Sequence, residues 1–119
     1  MNDDITRIGT GPRMSEAVCF NGIAWLAGQV GNPGDSVADQ TRTCLAEVDR
    51  ILAAAGTDKS RLVMCNIWLV DIGTFATMNG AWEAWVDPKN PPARATVESR
   101  LGGQGNLVEI SAIALAPAA

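Results

Sequence analysis

Pro91-Pro92-Ala93-Arg94-Ala95-Thr96-Val97-Glu98 and, a short loop later, Leu107-Val108-Glu109-Ile110-Ser111-Ala112 are the stretches on which the fold turns. Both read as β-strands, the last two of the chain. Period-two alternation puts Arg94, Thr96 and Glu98 on one face of the first. In the second it separates Leu107, Glu109, Ser111 and Ile113 from the small apolar set Val108, Ile110, Ala112 and Ala114, which should face helices. Residues 93–99 and 107–115 are therefore expected to pair as a hairpin across a loop holding Gly102, Gly103 and Gly105. In that hairpin Arg94 and Glu109 share the face away from the helices. Glu109 lies near Thr96 and diagonal to Arg94, ~7–8 Å away at Cα. Arginine grips a planar carboxylate with two parallel hydrogen bonds, and a glutamate among apolar residues can hold and activate a water. The pair suggests chemistry on a small carboxylate-bearing molecule. The plain alternative is a structural ion pair of Arg94 with Glu109 or Glu98 on an exposed face.

Working outward, Ala17-Val18-Cys19-Phe20 and Ile23-Ala24-Trp25-Leu26-Ala27 flank Asn21-Gly22, a strong hairpin signal. After the turn Gly31-Asn32-Pro33-Gly34-Asp35, Ser36 starts a helix with Asp39 as an imperfect capping box. Val37, Thr41, Cys44, Leu45, Val48, Ile51, Leu52 and Ala55 form its buried stripe, and Gly56 stops it. Residues 62–70 are an apolar run broken only by Asn66, expected as a central strand covered on both sides. Thr74 can cap a second helix carrying Phe75, Met78, Trp82, Trp85 and Val86, which Pro88 closes. The order strand, strand, helix, strand, helix, strand, strand predicts a single α+β domain over 1–119, one mixed sheet backed by two helices. Gly102-Gly103-Gln104-Gly105 opens no helix, so it reads as a hairpin loop and not a phosphate cradle. Gly28, at a strand end, would let backbone amides approach a ligand.

Composition narrows the function. Of 119 residues 47% are hydrophobic and 18% charged, so the surplus apolar surface is expected to end in a subunit interface. Nine basic against thirteen acidic residues give a net charge of −4 with no basic cluster, which argues against nucleic acid as partner. With no histidine, Ser-His-Asp and Cys-His catalysis and the commonest metal ligand drop out. Cys19, Cys44 and Cys65 are too far apart for a CxxC motif and fit reduced core thiols. The N-terminus lacks an apolar run and no stretch approaches ~20 apolar residues, so neither a leader nor a membrane span is expected, and the location is expected to be cytoplasmic.

Taken together, Ala27-Gly28-Gln29-Val30, Thr74-Phe75-Ala76-Thr77-Met78-Asn79 with Trp82-Glu83-Ala84-Trp85, Pro92 to Glu98, and Val108 to Ala114 resemble the RidA family, also called YjgF or L-PSP, over nearly the whole chain. The resemblance implies a chorismate-mutase-like α+β fold and a homotrimer with ligand clefts between subunits. For the deaminating members it implies hydrolysis of 2-imino acids, or their enamine tautomers, to 2-keto acids and ammonia without metal or organic cofactor. Arg94 matches the family's substrate-carboxylate arginine and Glu109 its water-associated glutamate, while Gly28, Thr96, Met14 and Trp85 are further candidates for substrate contact. Three positions depart from the pattern. The family's pocket tyrosine falls at Met14 or Arg13, its serine before Gly28 is Ala27, and its cysteine two positions after the arginine is Thr96. Those changes leave a second class open, a non-catalytic carboxylate-binding or regulatory trimer using the same cleft. The family's endoribonuclease label sits poorly with an acidic chain.

Overall fold

Local chemistry sets most elements of the structure, a computed structural model that describes residues 4–117. Asn21 and Gly22 take the left-handed conformation at φ +55° and +77°, the backbone of a two-residue hairpin turn. They join strand β2, Ala17–Phe20, to β3, Ile23–Val30, with Phe20 opposite Ile23. Helix α1, Val37–Ala54, begins where the Ser36 hydroxyl accepts from the Asp39 amide at 3.2 Å. The capping box stays half-made because the Asp39 carboxylate binds Arg42 at 2.7 Å instead. At the other end Gly56, at φ +78°, donates to Ala53 while Thr57 donates to Leu52, the paired bonds that close a helix on glycine.

The second helix, α2, Phe75–Trp85, starts differently from expectation. Thr74 holds the capping position but its hydroxyl donates backwards to the Asp71 carbonyl at 2.6 Å, completing a 3-10 turn over Ile72–Thr74. A three-residue edge strand, β1, Thr6–Ile8, pairs with β2 and was not foreseen; β3 runs three residues beyond the expected Ala27.

The larger correction concerns the end of the chain. Strands β4, Leu62–Leu69, β5, Ala93–Glu98, and β6, Val108–Leu115, do not stack in sequence order. The sheet runs β1-β2-β3-β6-β4-β5, so the expected hairpin between β5 and β6 does not form. β6 lies antiparallel between β3 and β4, and β5 runs parallel to β4 at the sheet edge. The burial of each strand explains the order. Val108, Ile110, Ala112 and Ala114 are 0–2% exposed and fill the middle of the sheet under the helices. Arg94 and Glu98 would be costly there, so Ala93–Glu98 takes the edge. A helix between β4 and β5 also makes the parallel crossover natural.

Both helices pack on one face, against a core that joins Leu45, Val48, Ile51 and Leu52 to Ile67 and Ile110. The other face stays open. On β4 the expectation of cover on both sides therefore fails: Cys65, Ile67 and Leu69 are buried, whereas Met64, Asn66 and Trp68 on the open side are half-buried. The glycine loop before β6 is anchored from α1. Buried Gln40 donates to the carbonyls of Asp35 and Gly105, each at 3.1 Å, and accepts from the Leu107 amide at 2.8 Å.

Candidate functional site

The strand faces place the polar residues. In the β4–β5 ladder Arg94 is level with Cys65, Thr96 with Ile67 and Glu98 with Leu69, so all three share one face, as their alternation predicted, but that face is the helix side and not the expected one away from the helices. The side chain of Arg94 enters the seam between β5 and α2. Helix α2 offers Phe75, Asn79 and Trp82 at positions i, i+4 and i+7 of one stripe. The Arg94 guanidinium carbon lies 5.6 Å from the Phe75 ring centre and 5.2 Å from that of Trp82, close enough for cation–π attraction to both. Among the described residues no carboxylate reaches ion-pair distance of Arg94. Glu98 is occupied elsewhere, accepting from the Ile72 amide at 3.0 Å. Arg94 is thus a half-buried cation that rings support and no anion neutralises. Two buried oxygens, Asn79 Oδ1 on α2 and Thr96 Oγ1 on the helix side of β5, have no hydrogen-bond partner among the described residues.

Glu109 belongs to the opposite, open face, where it is level with Val30 on β3 and Trp68 on β4. A register shift in β3 between Leu26 and Gln29 brings Gly28 against its carboxylate; a Cβ on Gly28 would lie 2.8 Å from the carboxyl carbon. Asn66 and Ser111 sit opposite one another on the same face. The loop carrying Met14 is rooted next to this point, because the Glu16 carbonyl accepts from the Ala27 amide at 2.9 Å. Met14 itself is 55% exposed. Glu109 is felt through the sheet: burial pushes the Cys44 thiol up to about 12, and the carboxylate charge adds to the rise.

Arg94 and Glu109 are therefore not neighbours on one face, as the expected hairpin required. They point to opposite sides of the sheet, with β4 between their strands. Their Cα atoms are two strand spacings, roughly 9.5 Å, and three residues, roughly 10 Å, apart. Nor is Glu109 beside Thr96. Trp85, a candidate for ligand contact, is turned toward α1: its indole donates to Asp49 at 2.8 Å and Lys59 lies 5.1 Å from its ring centre. Trp82 is the tryptophan that meets Arg94. Asn79, Phe75 and Trp82 were missed as site residues, although their helical spacing marks one stripe and an amide between two aromatic positions was the available signal.

Comparison with known proteins agrees with this architecture. The family described as Endoribonuclease L-PSP matches residues 5–116. A RutC family protein of Haemophilus ducreyi is 45% identical over 109 residues, covering 89% of this chain and 92% of its own. The RutC family protein YoaB of Escherichia coli is 36% identical over 110 residues, covering 92% and 96%. Among solved structures, NMB1025 of Neisseria meningitidis, a member of the YjgF protein family, superposes with a TM-score of 0.93 at 46% identity and covers 98% of both chains.

Proposed function

We propose that this chain, which belongs to the L-PSP endoribonuclease (YjgF, RutC) family, hydrolyses small 2-imino acids to 2-keto acids at a site shared between copies of itself. Arg94 carries the reading. A half-buried guanidinium, supported by rings and without an anion of its own, is suited to accept a ligand carboxylate through two parallel hydrogen bonds. Glu109 supplies the second function, holding a water against the imine carbon. Attack forms the new C–O bond of a carbinolamine. The nitrogen then takes up a proton and leaves as ammonia, while the hydroxyl loses one to become the keto oxygen. Water and imine thus balance keto acid and ammonia.

Because the two residues occupy opposite faces of one sheet, one small molecule can reach both heads only if they come from different copies. The open face supports such an assembly: Trp25, Val30, Val97 and Leu115 are 40–48% exposed on it, more apolar surface than a lone domain favours. A homotrimer, as in the family, would bring the open face and Glu109 of one copy to the α2–β5 seam of the next. Three free thiols, two of them buried, support a reducing cytoplasmic setting, and no helix among the described residues is long and apolar enough to cross a membrane. The acidic balance and lack of histidine favour this chemistry over RNA cleavage.

The test is complementation. Chains carrying Arg94→Ala and chains carrying Glu109→Gln, each inactive alone, are mixed under exchange and assayed by coupling an amino-acid oxidase to keto-acid detection. Random exchange should restore about a quarter of the wild-type rate, since each shared site draws one residue from each chain. No recovery after proven exchange would place both residues of each site in one copy and overturn the reading.

A further inference from the structure

We infer that the groove between the last turn of α1 and the β1–β2 end of the sheet binds an organic ammonium, an amine cation on a compact apolar body. The site is separate from Arg94 and Glu109 and does not rest on the roles given to them.

The groove follows from a mismatch between sheet and helices. α1 packs on β3 and β6, while β2 and β1 continue the sheet beyond β3. Where the helix ends, a space of about 650 Å³ is left on the helix side, within the size range of small-molecule sites. Its floor holds Ile8 and Cys19, both packed against the core, with Thr6 level with Cys19. Ala116 and Pro117 form the far wall, fixed where the Ala116 amide donates to the Gly22 carbonyl at 2.8 Å. Ala54, Ala55 and Gly56, the end of α1 and its glycine stop, form the near wall. Backbone hydrogen bonds hold both walls, so the groove is formed before any ligand arrives.

The charge of the lining identifies the ligand. α1 presents the negative pole of its dipole at this end, and its last turn carries no basic residue. Among the described residues that line the groove, Asp4 is the only charged one. Burial pushes the Cys19 thiol up, so the floor stays protonated and neutral. An anion would meet two negative features and no positive one. A neutral apolar molecule suits the floor but leaves the helix pole unanswered. An ammonium on an apolar body meets both, its N–H groups toward the last carbonyls of α1 and its body over Ile8 and Cys19. The position also keeps the groove available. β1 is the end of the sheet opposite β5, so an assembly through the open face and the α2–β5 seam leaves the groove uncovered.

Cys19 reports on the site, because Cys44 and Cys65 are 0% exposed. Its labelling by a neutral maleimide is followed by mass spectrometry on the purified protein in the presence of benzylamine, benzyl alcohol or benzoate, with Cys19→Ala to assign the signal. Benzylamine should protect Cys19 at concentrations at least about threefold lower than benzyl alcohol, the scale of a cation at a helix C-terminus. Benzoate should not protect. The decisive variant is Ala54→Lys, which puts a cation at the end of α1. Ala54 is exposed, and a lysine there favours the helix, so the fold is kept. In this variant benzylamine should protect less well than benzyl alcohol. Absence of protection by benzylamine, equal protection by the alcohol, or an amine preference that survives Ala54→Lys overturns the inference. A Cys19 that stays unlabelled in the folded protein would mean a closed groove and overturn it too. Loss of benzylamine protection in Arg94→Ala would move the binding to the α2–β5 seam and equally remove the site.

Discussion

Gly28 is a glycine because Glu109 occupies the space where its side chain would be: an added Cβ would lie 2.8 Å from the Glu109 carboxyl carbon and 3.0 Å from its Cγ. The glycine before Gln29 thus serves the glutamate more than any backbone approach to a ligand. Gly28→Ala should move the flexible Glu109 head while hardly affecting the fold, since Gly28 is exposed and is not among the glycines with positive φ. Stability should change by no more than about 0.5 kcal/mol. A displacement on the order of 1 Å costs up to about 100-fold in rate. Imine-hydrolysis rates beside a melting curve test this, and a fully active Gly28→Ala variant would remove Glu109 from the chemistry.

Arg94→Ala should lose at least ~1.5–3 kcal/mol of charged hydrogen bonding to the substrate, tenfold or more in kcat/KM. Arg94→Lys should recover only part of it, because a point charge lacks the planar fork and stacks less well between Phe75 and Trp82. Steady-state kinetics of the two variants decide the point. Equal activity of the lysine variant would mean that charge alone, without the fork, is what the site uses.

Why the sequence singled out Arg94 and Glu109 but misjudged their relation follows from the range of the forces involved. The Asn21-Gly22 turn, the Ser36 start and the Gly56 stop are set by their own backbone conformations and were legible residue by residue. Alternation correctly grouped the residues that share a face within β5 and within β6, because side-chain direction is local too, but which face of β5 meets the helices is not local, and the Arg94 face was expected on the wrong side. Strand order is not local. Nothing within residues 93–115 says that β6 will insert between β3 and β4; that outcome depends on which strand best fills the space under α1. β1 was invisible for a related reason, being three residues long with only Ile8 half-buried. Trp82 and Trp85 differ by less than one helical turn, and only the packing of α2 against α1 decides which meets Arg94.

Gln40 should prove the most sensitive polar residue of the scaffold. It is 0% exposed and bridges Asp35, Gly105 and Leu107, tying α1 to the loop that delivers β6. Gln40→Leu keeps most of the volume but strands the Leu107 amide and two carbonyls. Each buried orphan costs about 1–3 kcal/mol, so a loss of roughly 3 kcal/mol or more is expected. Urea unfolding at fixed protein concentration measures it. A loss below about 1 kcal/mol would show that water replaces the amide without penalty.

The buried thiols lead to a pH prediction. Burial pushes Cys44 and Cys65 up from 9.0 to about 12; for Cys65 the nearby Arg94 charge opposes the rise. The sign follows from proton counts. Between pH 9 and 12 the unfolded chain has lost these protons and the folded chain keeps them, so the unfolded state binds fewer. The thiols' contribution to stability is whole below pH 9 and is lost as pH rises toward 12. Urea midpoints measured from pH 8 to 11 should therefore fall, and the fall should be shallower in Cys44→Ala and Cys65→Ala. In Arg94→Ala it should be steeper, because the charge that partly stabilises the Cys65 thiolate in the folded state is gone. Slopes that do not change in either cysteine variant would show that other groups, and not these thiols, govern alkaline unfolding.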